Sequence, residues 1–326
     1  PAGYGGGMSI EGGASPMLKN VIFRSNKAGL AGGGSVNVDG SNVVFINTQF
    51  IGNGGGGIRT NGTTALEITN SVFMDNSGGN IGGGIRAKGA IDLTNVTFYN
   101  NSANDKSGAI DVNSSSTINI RNCIIYGNHA PSGPDISGTP AMIRNSLIGG
   151  NFYDGSGNAS PMSAPLFVNA AAGDLTLQIG APMRNMGDVV FFNPGQTPDL
   201  SAITTDIAGV PRIVNGQIDP GAYQSNYPTC TGMPVQGVIS AVADSVCVRE
   251  DLTLVLSDNS FHLAGIGYQW QQRLPAGSGA WTDIPSSPDT MLHISGQAAT
   301  TDYRCLVICN NTSDTAYSNI FTVKSH

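Results

Sequence analysis

The stretch Asn95-Val96-Thr97-Phe98-Tyr99-Asn100-Asn101 is one copy of a pattern, Asn-x-x-(Phe/Ile)-x-x-Asn, that occurs six times before residue 152. The other copies are Asn20…Phe23…Asn26, Asn47…Phe50…Asn53, Asn70…Phe73…Asn76, Asn122…Ile125…Asn128 and Asn145…Ile148…Asn151. Successive copies begin 27, 23, 25, 27 and 23 residues apart. A period in this range marks a solenoid, in which one turn cannot bury its apolar face alone and neighbouring turns stack to build a common core.

Two further elements complete each turn. A glycine cluster leads into alternating residues, as in Gly56-Gly57-Ile58-Arg59-Thr60, Gly83-Gly84-Ile85-Arg86-Ala87 and Ser107-Gly108-Ala109-Ile110-Asp111-Val112. A second alternating stretch precedes each first Asn: Val43-Val44-Phe45, Leu66-Glu67-Ile68, Ile91-Asp92-Leu93 and Ile118-Asn119-Ile120. Three short period-two segments between Gly, Asn and Ser corners predict three strands per coil. Alternation turns Ile58, Ile85, Ile110, Phe45, Ile68, Leu93, Ile120 and the motif phenylalanines inward. Equivalent residues of adjacent coils then stack about 4.8 Å apart, giving an internal aromatic ladder. Cys123 falls in the row of Val21, Thr48, Ser71, Val96 and Ser146, where a small, buried, inert thiol is expected. A leucine-rich repeat shares the period, but leucine is scarce here and no segment has room for a helix. The expected fold is therefore all-β, a right-handed parallel β-helix.

Composition narrows the setting. The 326 residues should form two domains, and 45 glycines with 11% charged residues describe a turn-rich β protein without a transmembrane segment. A formal charge of −7, with no basic stretch, argues against nucleic acid as a partner. Of five cysteines, Cys230, Cys247, Cys305 and Cys309 cluster near the end without CxxC pairs, which reads as two disulfides and an oxidising compartment. The opening Pro1-Ala2-Gly3-Tyr4-Gly5 already resembles part of a repeat, so a mature or trimmed chain is expected, its targeting segment removed.

The paired glycine and Phe-x-x-Asn elements over residues 3–151 resemble the repeats of polymorphic outer-membrane proteins and related bacterial surface β-helix proteins. Such repeats occur in adhesins, autotransporter passengers and polysaccharide-active enzymes alike. Beyond Asn151 the period fails. Residues 152–224 carry Pro165-Leu166-Phe167, Asp206…Gly209…Arg212 and Asp219-Pro220-Gly221-Ala222-Tyr223-Gln224. These resemble the segment that ends the β-helix in secreted bacterial choice-of-anchor Q proteins. Asn185 and Gln224 stand where that pattern has Asp and Glu. Asp206, Arg212 and Asp219 are expected to form a structural ion-pair and turn network that closes the last coil, in preference to an active site. The first domain is thus read as residues 1–224.

Residues 225–326 are read as an immunoglobulin-like β-sandwich. Val246-Cys247-Val248, Tyr268-Gln269-Trp270 and Asp302-Tyr303-Arg304-Cys305 give the Cys…Trp…Cys order of strands B, C and F, with Tyr303 at the tyrosine-corner position. That resemblance implies a Cys247–Cys305 bridge on Trp270 and leaves Cys230–Cys309 as the second pair, other pairings being formally open. Trp281-Thr282-Asp283-Ile284-Pro285 and Tyr317-Ser318-Asn319 resemble Ig-like modules appended to secreted proteins of the Bacteroidetes, which imply a spacer or binding role.

The outward positions carry the candidate chemistry. The first strands present Ser9, Asn37, Arg59, Arg86 and Asp111, the second Glu67, Asp92 and Asn119, and the third Arg24, Ile51, Met74, Tyr99 and Tyr126. Tyr99 and Tyr126 are expected side by side, a pair able to stack on a sugar ring. Arg59, Arg86, Asp92 and Asp111 are the candidates for a lyase or glycosidase, which needs a base and a charge neutraliser; an exposed Arg86–Asp111 pair of small value is the simpler reading. His129, His262, His293 and His326 have no metal-ligand spacing, so no cofactor is expected beyond adventitious Ca²⁺ on acidic surface. The expectation is a secreted or cell-surface, adhesin-like, glycan-binding protein without catalysis, its partner a glycan or a host or cell-surface protein. The alternatives are a polysaccharide-cleaving enzyme on an outer face and a structural stalk.

Overall fold

Every first Asn of the repeat adopts the left-handed backbone conformation: Asn20, Asn47, Asn70, Asn95, Asn122 and Asn145 have φ of 58°, 51°, 48°, 54°, 49° and 49°. Asn tolerates that region better than other residues with a side chain, so each copy bends the chain between two strands. The computed structural model describes residues 5–28, 34–62, 64–113, 116–150, 157–159, 164–214, 216–247, 250–257, 263, 265–285 and 290–325. Asn151, Val248, His262 and His326 lie outside them. The chain divides into two compact units, residues 1–226 and 227–326.

The first unit is a parallel β-helix of three six-stranded sheets. One begins with Met8–Ile10 and ends with Ile136–Ser137, the next runs from Met17–Lys19 to Met142–Arg144, and the third from Ile22–Arg24 to Leu147–Ile148. The registers stack like on like: Ile58, Ile85, Ile110 and Ile136 in the first sheet, Phe45, Ile68, Leu93 and Ile120 in the second. Phe23, Phe50, Phe73 and Phe98 form the expected internal ladder, with ring centroids 5.1, 4.4 and 4.5 Å apart and planes within 10°. Glycine makes room for it. A Cβ on Gly57 would lie 2.7 Å from the Phe73 ring, and one on Gly84 2.7 Å from the Phe98 ring. In the next coil Ile125 replaces the Phe and Ala109 replaces the Gly, so the two positions change together.

The second Asn of the first five motifs points inward and satisfies bend backbone that is cut off from water. Asn26, Asn53, Asn76, Asn101 and Asn128 each donate Nδ2–H to the Oδ1 of the following member at 3.0, 2.8, 2.8, 2.9 and 2.7 Å, the last acceptor being the Asp135 carboxylate. The same amides of Asn53, Asn76, Asn101 and Asn128 donate to the carbonyls of Phe23, Phe50, Phe73 and Phe98. Cys123 is fully buried between coils; its thiol donates to the Arg121 carbonyl, and burial pushes it up to about 12. It is packing, not a nucleophile.

The closing segment runs back over the outside of the third sheet. Leu177, Ala181 and Met183 pack on Ile124 and Leu147, while Leu175 and Ala222 pack on Val72 and Met74. Its outward apolar row therefore lies under a second layer, which is why that row tolerates valine, methionine and leucine.

The second unit is an all-β, Ig-like sandwich. Val238–Ala241, Leu252–Ser257 and Met291–Ile294 form one sheet; Ser245–Val246, Phe321–Ser325, Thr301–Cys309, Ile266–Arg273 and Trp281–Asp283 form the other, with Thr315–Tyr317 paired on Thr301–Cys309. Trp270 is fully buried, directly opposite Cys305. Tyr303 donates its hydroxyl to the Gln297 side chain at 3.0 Å. Cys230 and Cys309 are disulfide-bonded. The bridge expected between Cys247 and Cys305 does not form. Ser245–Val246 is no inner strand B but pairs in parallel with the final strand. Val246 takes the buried side, so alternation leaves the next residue, Cys247, exposed while Cys305 is buried. Leu252, Leu254 and Leu256 supply the inward residues that strand B was expected to provide.

Candidate functional site

The outer residues singled out in the sequence fall into separate environments. Arg59, Arg86 and Asp111 are in register along the first sheet, whereas Asp92 belongs to the second. Asp111 pairs with Lys106 at 3.2 Å, not with Arg86. Asp92 accepts from Arg121 at 2.8 Å and from Asn119 at 2.9 Å. The two carboxylates thus sit on different sheets, each with its own cation, and do not form one acid–base set.

Tyr99 and Tyr126 are adjacent in register as expected, but they are not an exposed platform. The closing segment covers them: Tyr99 meets Phe167 edge to face, centroids 5.4 Å apart, and Tyr126 lies half-buried against the cluster of Ile124, Leu147, Leu177, Ala181 and Met183. The reason lies outside the repeats, in apolar residues of the closing segment that need a surface to bury against.

Asp206, Arg212 and Asp219 are all buried and act as turn anchors. The Asp206 carboxylate accepts the backbone N–H groups of Ala208, Val210 and Gln224. Asp219 accepts from the Asn185 and Ser225 backbones at 2.7 Å and from the Ser225 hydroxyl at 2.5 Å. The Arg212 guanidinium donates to the carbonyls of Asp219 and Gly221. Burial pulls Arg212 down to about 10, opposed by the charges of Asp206 and Asp219, so it stays protonated at neutral pH. The two departures from the resembled pattern are harmless here. Asn185 contributes its backbone N–H at φ 63°, and the Gln224 side-chain oxygen accepts the Asp219 N–H as a carboxylate would.

The bend asparagines themselves build the remaining feature. Left alone, each would donate to the preceding member, as Asn47 does to Asn20 at 3.1 Å. The closing segment diverts most of them. Asn70 donates to the Thr205 carbonyl, Asn95 to Asp219 and Gly221 and Asn145 to Met186, while Asn122 donates to Asp188 at 2.9 Å and keeps a 3.3 Å bond to Asn95. Because Asn70 and Asn95 turn away, Asn47 Oδ1 and Asn70 Oδ1 are left without a partner among the described residues. Where the covering stops, Asn20 and Asn47 emerge into a groove of about 410 Å³ with Lys19 and Ile46 on one wall and residues 202–209 on the other. That volume lies toward the lower end of small-ligand sites, roughly 300–1,000 Å³. Among the described lining residues only Lys19 and Asp206 are charged; Asp206 is buried and occupied by the N–H groups named above, whereas Lys19 is exposed. No group of three or more His, Cys, Asp or Glu side chains among the described residues is placed to hold a metal ion.

Comparison with known proteins agrees with the coil geometry. Residues 3–88 match the family described as "Right handed beta helix region". The first unit is a right-handed parallel β-helix. None of the curated proteins matches the chain. Among solved structures, the fibronectin type-III domain of human fibronectin type III domain containing protein 3 is similar at 16% identity, covering 30% of this chain and 90% of that one with a TM-score of 0.23.

The sequence reading missed this groove and also Asp135. Asp135 had a visible signal: it precedes Ile136 in the place held by Gly57, Gly84 and Ala109, an acid where every earlier equivalent is small. The groove had none, since its two walls are far apart in sequence.

Proposed function

We propose that this chain is a binding module of a secreted or cell-surface protein, adhesin-like and non-catalytic, whose β-helix holds a carbohydrate. The observation that carries this reading is the groove where the asparagine row leaves its cover, because side-chain amides offer a donor and an acceptor side by side and so match vicinal hydroxyls. The Cys230–Cys309 disulfide supports an oxidising, extracytoplasmic setting. Lectin-like binding suits a preformed polar cleft on a rigid solenoid, since little ordering entropy is lost on association.

The test is a glycan array probed with the full chain, followed by titration of the hits. Binding should fall at least fivefold in Asn20→Gly, which removes the amide and keeps the left-handed bend. Hits that survive Asn20→Gly and Asn47→Gly unchanged, or an array with no hits, would overturn the reading.

A further inference from the structure

The second unit carries a feature of another kind, independent of the groove, and it begins with strand alternation. Trp270 and Cys305 are buried in the sandwich, so Gln271, Arg273, Asp302 and Arg304 lie on the outer face of the same strands. Across that face cations alternate with rings. Arg273 lies 4.8 Å and Arg304 4.2 Å from the Trp281 ring centroid, and Arg304 lies 4.3 Å from that of Tyr317.

The cations of this sheet differ in how they are satisfied. Arg273 lies 2.7 Å from the Asp302 carboxylate, which also accepts the Gly277 N–H and the Thr322 hydroxyl. Lys324 has Asp244 at 3.2 Å. Arg304 has no acid. Its Nε donates to the Gln271 side-chain oxygen at 2.8 Å, and the Gln271 amide donates in turn to Asp283 at 2.7 Å. Its Nη1 and Nη2 have no hydrogen-bond or ion-pair partner among the described residues.

We infer that this face is a docking surface for a partner polypeptide, and that Arg304 there receives the carboxylate of an Asp or Glu side chain. A guanidinium stacked on two rings and tethered at Nε has lost its rotamer freedom before binding. A two-pronged bond from Nη1 and Nη2 to a carboxylate therefore costs little further ordering. Half-buried Trp281 and exposed Tyr317 flank the group and supply apolar contact that keeps water from such a bond. Trp, Tyr and Arg together are the composition of interface hot spots. The charge pattern favours a polypeptide over a polyanion. One cation is unpaired, and the exposed Asp283 stands one strand away. A single carboxylate is matched there, whereas a run of sulfates or phosphates meets repulsion at its next charge.

The experiment screens the full chain, disulfide intact, against an array of short peptides with a central Glu among apolar and neutral neighbours. Each is printed beside its central-Gln copy, and hits are titrated by fluorescence polarisation. Glu peptides should bind about tenfold more tightly than their Gln copies. Arg304→Gln should abolish that difference, and Arg304→Lys, which keeps the charge and loses the planar fork, should keep only part of it. Equal binding of the Glu and Gln copies, or a preference that persists in Arg304→Gln, would overturn the proposal. Tighter binding of a heparin oligosaccharide than of any Glu peptide would overturn it in favour of a polyanion. No peptide binding at all would also overturn it, and a lower unfolding midpoint in Arg304→Gln would then make the ladder packing alone. Circular dichroism of both variants checks that the sandwich is intact.

Discussion

At the scale of single residues, the coil depends on pairs of side chains that fit only together. Gly84 faces the Phe98 ring, and an added Cβ would also come 2.7 Å from the Ala109 carbonyl oxygen. Gly84→Ala should cost about 1–3 kcal/mol by overpacking, read as a lower denaturation midpoint. Adding Phe98→Ile should recover part of that loss, because the following coil already combines Ala109 with Ile125; simple additivity of the two changes would sink the explanation. Asp135 ends the inner asparagine chain as a buried carboxylate. Burial pushes its acid up to about 6 from an ordinary value of 3.8, against the opposing hydrogen bonds from Asn128. The folded state then holds a proton that the unfolded chain releases, so this contribution favours folding below about pH 4 and is lost as pH rises through about 6. At pH 8 the ionised group should cost up to about 3 kcal/mol. Asp135→Asn keeps the acceptor oxygen and removes the charge. Its melting temperature should exceed the parent's at pH 8, with the difference vanishing near pH 4; a lower value at pH 8 would contradict the account.

At the scale of elements, the closing segment turns a stack of coils into a surface with one open groove. It covers the third sheet and captures the amides of Asn70, Asn95, Asn122 and Asn145. Tyr99 and Phe167 hold the two layers together, so Tyr99→Ala should lower stability by about 2 kcal/mol without acting directly on the groove. The measurement is thermal unfolding beside glycan titration of the same variant; unchanged stability with lost binding would restore Tyr99 as a contact residue. In the second unit the Cys230–Cys309 bridge spans 79 residues. Closing a loop of that length stabilises by about 2–5 kcal/mol. Replacing both cysteines by serine should lower that unit's unfolding midpoint accordingly, whereas Cys247→Ser should change it little because Cys247 is exposed and unbridged.

At the scale of the whole molecule, the repeats were readable because each coil repeats the same local physics. Asn at a left-handed bend, alternation into three strands, and Phe over Gly are all decided within about one period, so the six coils, their registers and the inner ladders follow from the residues alone. Alternation could also have shown that Val246 buries and Cys247 does not; the Cys…Trp…Cys order outweighed it and misplaced strand B. Other features depend on residues distant in the chain. That Tyr99 and Tyr126 are half-buried, and that Lys19, Asn20 and Asn47 face residues 202–209, are consequences of where the closing segment lies. Its path is set by burial of apolar surface, a non-directional force with no period to read in the sequence. Sequence alone therefore determined the coil and what it hides, through short-range backbone and pairing constraints. Which outer residues stay exposed, and so which can meet a ligand, was decided only when the closing segment packed against the third sheet.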